Sequence, residues 1–305
     1  MKLAILMATY NGERFLREQI ESILCQETDV PFDLIVRDDG STDGTLAILE
    51  EYQAAGKLTY YAGKNAGAAR GFIGLLRDHP GYALYAFADQ DDVWNAGKVQ
   101  KGIDAVRDAA EPTLYCTNAA LVDAAMQSLG RNTHRERPTY NLVSMLCLAS
   151  CAQGCTSVFN EALARVIREY PVPDVFIMHD SLLTCVCALI GGRVIYDHEP
   201  SMQYRMHGSN VFGMSTAKQG VMQVIKSRIK EITTPQKISM YAQAKSILQT
   251  YGEEIPAENR AVCETVIRSE KSLGARLRLV CSKDLKHDTT NKTLTKKLTI
   301  LLGND

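Results

Sequence analysis

The sequence has no pair of cysteines at the two-residue spacing typical of zinc sites and redox disulfides, and its nine cysteines are an odd number scattered over 305 residues. A disulfide-framed secreted scaffold is therefore excluded, and reduced, buried thiols are expected instead. Cys147, Cys151 and Cys155 stand at i, i+4 and i+8, which on a helix leaves a soft-metal site open beside the plainer reading of packed thiols. Long apolar runs are also missing. No stretch approaches the roughly 20 residues that cross a bilayer. The run from Leu3 to Ala8 is too short for a signal peptide and lacks a small-residue cleavage site, so a cytoplasmic protein is expected. Neither charge sign dominates: 34 Lys and Arg face 35 Asp and Glu, a net charge of -1. That balance excludes a strongly basic nucleic-acid binder, and no nucleic-acid partner is expected. Repeats and low-complexity segments are absent.

What is present is a soluble, core-forming composition, 46% hydrophobic and 23% charged. Short apolar runs alternate with helical periodicity through the first third of the chain. Strands are expected over 3–8, 32–37, 58–62 and 83–88, and helices run from Phe15, from Leu46 and through Phe72 to Leu76. Strand and helix in alternation predict an α/β fold with a mostly parallel sheet flanked by helices, and ligands bind outside the carboxyl ends of such strands. The polar stretches fall at those ends: Thr9-Tyr10-Asn11, Asp38-Asp39, and Asp89-Gln90-Asp91-Asp92. Three carboxylates within four residues repel one another, and the folded site must supply positive charge. A divalent cation with oxygen ligands is the usual source. The alternative is a solvated acidic turn ahead of a helix.

Three segments carry a resemblance. MATYNGERFLREQIESIL from Met7, VRDDGSTDGT from Val36 and FADQDDVW from Phe87 resemble the large inverting family of nucleotide-sugar glycosyltransferases with the GT-A fold. The last is similar to the bacterial branch with many rhamnosyltransferases of surface-polysaccharide synthesis. The resemblance covers roughly residues 1–215 and implies a Rossmann-like GT-A catalytic domain over 1–214. Its nucleotide-binding half is about 1–110 and its acceptor half about 111–214, with a helical C-terminal region over 215–305. It also implies roles. Ala8 and Tyr10 match positions that hold the nucleobase, and Asp39 the position that accepts the N3–H of a pyrimidine. Asn65 and Arg70 match the nucleotide lining, Asp89 the ribose-side carboxylate, and Asp91 the direct metal ligand. For Asp38 and Asp92, a cap or a supporting hydrogen bond is as good a reading as direct contact.

The second half should hold the acceptor. A strand is expected over 113–122, a polar loop over 123–140, a helix over 141–150, and a strand from Gln153 to Asn160 entered through Gly154. The resemblance places Gly154 beside the donor sugar; a plain strand start is the alternative. His179-Asp180 opens the next helix, where the positive helix end favours a carboxylate. The family has Glu-Asp here, with the Asp as catalytic base. Asp180 keeps that position while His179 replaces the Glu, which leaves the pH profile open. After a strand near 193–196, Tyr204-Arg205-Met206-His207-Gly208-Ser209-Asn210 is similar to the family's His-Gly-Ser-Asn segment. It implies His207 as a neutral metal ligand beside Asp91, with Mn²⁺ or Mg²⁺ as cofactor.

Residues 215–305 carry 16 Lys and Arg against 9 Asp and Glu, with helices expected over 216–231, 236–251, 257–273 and 293–302. Val221, Val224, Ile225, Ile229 and Ile232 trace an apolar face beside Lys226, Arg228 and Lys230. Such a region can pack on the catalytic domain, dimerise, or lie on an anionic membrane. The expected function is metal-dependent inverting transfer of a sugar from a dTDP- or UDP-linked donor, dTDP-rhamnose or a UDP-sugar, to a glycan or lipid-linked acceptor. The alternatives are a nucleotidyltransferase and an inactive nucleotide-sugar-binding protein. No Gly-rich, Lys-containing activation loop follows the first strand, which speaks against the nucleotidyltransferase.

Overall fold

The first apolar run folds as β1, Leu3–Thr9, and a computed structural model describes the chain over residues 1–147, 152–208 and 239–304. Successive side chains on a strand point to opposite faces. Leu3, Ile5 and Met7 enter one apolar layer and Ala4 and Leu6 the other, all fully buried. A strand buried on both faces is what a parallel sheet covered by helices requires.

The elements that follow are α1 (Leu16–Leu24), β2 (Phe32–Asp38), α2 (Thr45–Ala54), β3 (Thr59–Ala62), α3 (Gly67–Asp78) and β4 (Leu84–Ala88). β3, β2, β1 and β4 lie side by side in that order, all parallel. The chain thus steps to one side of β1 and then returns to the other. The three loops after β1, β2 and β4 meet at this reversal, with Thr9 level with Asp38 and Met7 level with Ala88. α1, α2 and α4 (Lys98–Val106) cover the Leu3 face, while α3, α6 (Glu161–Glu169) and α7 (His179–Leu189) cover the Ala4 face.

Beyond β4 the sheet becomes mixed. β8 (Val158–Asn160) runs antiparallel between β4 and β6 (Thr113–Asp123), β9 (Arg193–Met206) runs parallel to β6, and β5 (Val93–Trp94) pairs antiparallel with β9. Pairing along most of β6 extends β9 well past the expected 193–196, and this carries Arg205 and Met206 back to β5 and the acidic turn. The loop expected over 123–140 contains β7 (Ser128–Asn132), which pairs with β6. The strand expected from Gln153 begins only at Val158, after one 3₁₀ turn over Gly154–Thr156. The helix expected over 141–150 is described as α5, Leu142–Leu146.

The C-terminal region contributes α8 (Met240–Tyr251), α9 (Ala257–Ser269), α10 (Leu273–Cys281) and α11 (Thr290–Leu302). Met240, Ile247, Cys263, Val266 and Ile300 join the same apolar layer as Ala4 and Leu6. α10 was not expected from the sequence. The expected helix over 216–231, with its apolar face, and Cys151, Ser209 and Asn210 lie outside the described residues. No helix among the described residues is long and apolar enough to cross a membrane.

Candidate active site

Asp38 and Asp39 leave β2 together but serve different ends. Asp38 is fully buried and spends both oxygens on its own turn: Thr9 and Ser41 hydroxyls donate to Oδ1, and the Gly40 and Ser41 N–H groups donate to Oδ2. Asp39 reaches across to α3. It accepts Arg37 Nε at 2.8 Å on Oδ1 and the Ala66 N–H at 3.1 Å on Oδ2. Tyr10, at the end of β1, is 49% exposed. Its backbone is held by Gln90, which accepts the Tyr10 N–H at 2.9 Å and donates to the Tyr10 carbonyl at 3.1 Å. The β1 and β4 loops are thereby tied together. Ala8 is level with Arg37 and packs against the core.

Asn65 accepts the Gly67 N–H at the start of α3. Arg70, one turn on, donates to the Asp174 carbonyl at 3.2 Å and lies over the Phe176 ring. Gly67, Arg70, Phe176 and Met178 line an open cleft between the amino end of α3 and the segment leading into α7.

The acidic turn after β4 lies within charge range of Asp180 at the start of α7. Burial, then the charges of Asp91 and Asp180, push the Asp89 carboxyl up to about 7. Asp91 Oδ2 is hydrogen-bonded to His207 Nε2 at 2.7 Å. The His207 ring packs 5.0 Å from that of Phe15, and Arg205, buried, donates through Nε to the Asp91 carbonyl and through Nη2 to Glu18 at 2.5 Å. Asp92 is fully buried; Oδ1 accepts the Arg205 N–H, and Oδ2 has no hydrogen-bond partner among the described residues. Burial, then Asp91 and Asp89, hold its carboxyl well above the ordinary range. Donor atoms of Asp89, Asp92 and Cys155 lie within 4.8 Å of one another. Lys98, buried with its ammonium 3.7 Å from the centre of the Trp94 ring, stands behind them; burial lowers it to about 8 against the pull of Cys155 and Asp92.

Asp180 occupies the second position of α7. Its Oδ2 accepts the Gly154 N–H at 3.1 Å and its Oδ1 the Ser181 N–H at 2.6 Å. Beneath it His179 is 3% exposed, stacked 4.1 Å from Phe72 and edge-on to Phe87 at 5.1 Å. Neither ring nitrogen has a hydrogen-bond partner among the described residues. Burial lowers its pKa against the attraction of Asp180, so the ring is neutral. A Cβ on Gly154 would lie 2.2 Å from His179 Nε2, which is why that position excludes a side chain.

The fold therefore links Asp89, Asp91, His207, Asp180 and Gly154 through direct bonds or mutual charge, and sets Tyr10, Asp39, Asn65 and Arg70 along the strand ends and the amino end of α3. Sequence reasoning missed Arg205, Glu18, Gln90 and Lys98. Arg205 stood in a motif already singled out, but its partner Glu18 is 187 positions away.

Comparisons with known proteins identify the family and the fold. The family model for Glycosyl transferase family 2 matches residues 4–165. The chain is 27% identical over 218 residues to the dTDP-rhamnosyl transferase RfbG of Shigella flexneri, covering 68% of this chain and 73% of that one. It is 25% identical over 156 residues to the UDP-Glc:alpha-D-GlcNAc-diphosphoundecaprenol beta-1,3-glucosyltransferase WfgD of Escherichia coli, covering 51% of this chain and 58% of the relative. Other relatives are matched over less than two thirds of their length, such as 64% for an uncharacterized glycosyltransferase of Rickettsia typhi. Among solved structures, S. aureus TarS 1-349 in complex with UDP-GlcNAc superposes with a TM-score of 0.54 at 16% identity, over 99% of this chain and 89% of that one. The shared architecture is the GT-A fold.

Proposed function

The chain belongs to glycosyl transferase family 2, and from that premise we propose that it moves a sugar from a nucleoside diphosphate donor to an acceptor hydroxyl in one inverting displacement, with Asp180 as general base. The observation that carries this reading is the clamp on Asp180: two backbone N–H groups, from Gly154 and Ser181, fix both oxygens at the first turn of α7. The acceptor oxygen attacks the anomeric carbon, the bond from that carbon to the diphosphate breaks with its electron pair, and the acceptor proton passes to Asp180.

The residues present fit a divalent cation, Mn²⁺ or Mg²⁺. Asp89 and Asp91 offer oxygens and His207 an imidazole nitrogen, a hard and borderline donor set. Burial, together with repulsion from Asp91 and Asp180, holds Asp89 near 7, and a cation beside it would offset that cost. When bound, the cation neutralises charge on the departing diphosphate. Arg205 and Phe15 keep the Asp91–His207 pair in place from behind.

For the donor, each Asp39 oxygen accepts one hydrogen bond and retains a second lone pair for the N3–H of uracil or thymine. The exposed Tyr10 ring is available to stack on the base, with Ala8 beside it. Asn65 and Arg70 line the nucleotide, and Gly154 borders the sugar through its backbone, since its side-chain direction is filled by His179. The relatives favour dTDP-rhamnose or a UDP-sugar as donor and a glycan or lipid-linked glycan as acceptor, within surface-polysaccharide synthesis.

Thermal unfolding with dTDP, UDP, GDP or CDP, each with and without Mn²⁺, tests the donor site, because a ligand of the native state raises stability by RT ln(1 + [L]/Kd). Mn²⁺-dependent stabilisation by dTDP or UDP is expected; no response to any of the four would refute the donor reading. Asp180→Asn should bind the same nucleotide unchanged and lose transfer by about 10²-fold or more. Near-normal transfer by that variant would remove Asp180 from the role, and release of pyrophosphate rather than nucleoside diphosphate would point to a nucleotidyltransferase.

A further inference from the structure

The C-terminal helix pair leaves a row of leucines uncovered. On α10, Leu273 and Leu277 are 62% and 46% exposed; on α11, Leu294, Leu298 and Leu302 are 58%, 39% and 56% exposed. Each stripe repeats at four residues, so it lies along one side of its helix. The opposite sides are already satisfied: Leu279, Thr295, Thr299 and Ile300 are buried. Five large exposed apolar side chains on two helices that pack on each other are of the kind that marks an interaction site, unlike an isolated exposed leucine.

The pair is firmly attached to the catalytic domain. The Asp284 carbonyl accepts hydrogen bonds from Asn141 Nδ2 and Ser144 Oγ, and the Lys286 N–H donates to Ser144 Oγ at 2.9 Å. Asp288, 4% exposed, receives Lys292 Nζ at 2.7 Å and His287 Nδ1 at 2.5 Å and faces His134 from the segment after β7. Arg276 Nη1 reaches from α10 to the Leu301 carbonyl on α11. With their inner faces so engaged, the helices cannot turn the leucines inward without breaking these bonds.

The surroundings of the leucines are cationic. Residues 270–304 hold eight Lys and Arg against three Asp and Glu; setting aside the buried Asp288 with its partner Lys292, and Arg276, which bonds backbone carbonyls, six face two. We propose that the leucine face of α10 and α11 docks on an anionic lipid surface, with the leucines entering the acyl boundary and the lysines and arginines meeting the headgroups. A second copy of this chain fits less well, because a two-fold contact would bring this same basic region against itself. The inference rests on the leucines and the charge count and does not depend on the reading of the active site.

The full chain should co-sediment with vesicles containing phosphatidylglycerol and much less with vesicles of phosphatidylcholine alone. Raising salt from 0.1 to 0.5 M should weaken binding, as screening shortens the reach of the charges. Leu294→Ser together with Leu298→Ser should reduce binding by about tenfold or more through lost apolar burial. Nucleotide-dependent stabilisation and Tm should stay unchanged, since both side chains are exposed in the free protein. Equal binding to both vesicle types, or undiminished binding by the double variant, would overturn the proposal. So would a concentration-dependent dimer in light scattering that the double variant abolishes, which would assign the face to a second copy.

Discussion

Replacing Gly154 with alanine probes how closely Asp180, the proposed base, is built into the core. The added Cβ would stand 2.2 Å from His179 Nε2 and 3.1 Å from Cε1, so one group must move by more than 1 Å to reach ordinary contact near 3.4 Å. The imidazole has little freedom, being stacked on Phe72 at 4.1 Å and set edge-on to Phe87 at 5.1 Å, with both phenylalanines buried. The alternative is for the Gly154 backbone to retreat and stretch its 3.1 Å bond to Asp180. Overpacking of this kind costs about 1–3 kcal/mol, a fall in Tm of roughly 2–5 °C for a protein of this size. Displacing the Asp180 clamp by ~1 Å would lower transfer by about 10²-fold. Calorimetry and a transfer assay read the two effects separately. In a His179→Ala background the same alanine should cost far less, a coupling of about 1 kcal/mol or more in a double-mutant cycle. If Gly154→Ala kept the parent Tm and turnover, or if its effect were the same with and without the imidazole, the steric argument would fail.

Two pH dependences follow. With divalent ions chelated, Asp89 keeps its proton up to about 7 in the folded state, whereas an unfolded aspartate loses it near 4. Between those values the native state binds more protons, so stability falls as pH rises, by at most about 1.4 kcal/mol per unit, and levels off above 7. Tm measured against pH should show this decline, Asp89→Asn should flatten it, and an unchanged slope in that variant would exclude Asp89 as its origin. Asp288 has the opposite sign. Burial pushes its carboxyl up, but the nearby His134 ring and the hydrogen bonds from His287 and Lys292 outweigh burial and hold it far below the carboxylate range. Its contribution is complete above the unfolded value near 4 and is lost as pH falls below that. Asp288→Asn should therefore destabilise the protein at neutral pH and narrow its difference from the parent under acid, as followed by circular dichroism; a difference independent of pH would refute the ionic account.

How much of this was legible in the sequence depended on the range of the interaction. β1 through β4 and their helices were readable because each is a local run of apolar residues closed by polar ones, and a parallel sheet buries such runs whole. The acceptor half was read less well. β9 holds its full length only because β6 lies beside it, and the three-residue β8 exists only because β4 and β6 flank it. Neither pairing leaves a local trace. Arg205 shows the same limit within the site: nothing near it in the chain announces that a buried guanidinium will be met by Glu18. α10 was missed because its leucines at 273 and 277 face outward, so its periodicity does not describe a core-facing stripe.

The acidic pairs show what residue type alone leaves undecided. Asp38 and Asp39 are neighbours in the chain, as are Asp91 and Asp92, yet the two members of each pair have different partners. In the first pair, Asp38 turns inward and is consumed by Thr9, Gly40 and Ser41, while Asp39 turns to α3. In the second, Asp91 meets His207 and Asp92 is buried against the Arg205 N–H. The motif letters announce four carboxylates at strand ends; in the fold one of each pair, Asp38 and Asp92, holds its turn, and we propose the other for a ligand. An exposed aspartate could do the second job without a partner, but it would be free to rotate. Here Asp38 and Asp92 are bonded to the backbone of their own turn or of β9, so Asp39 and Asp91 are held on fixed loops.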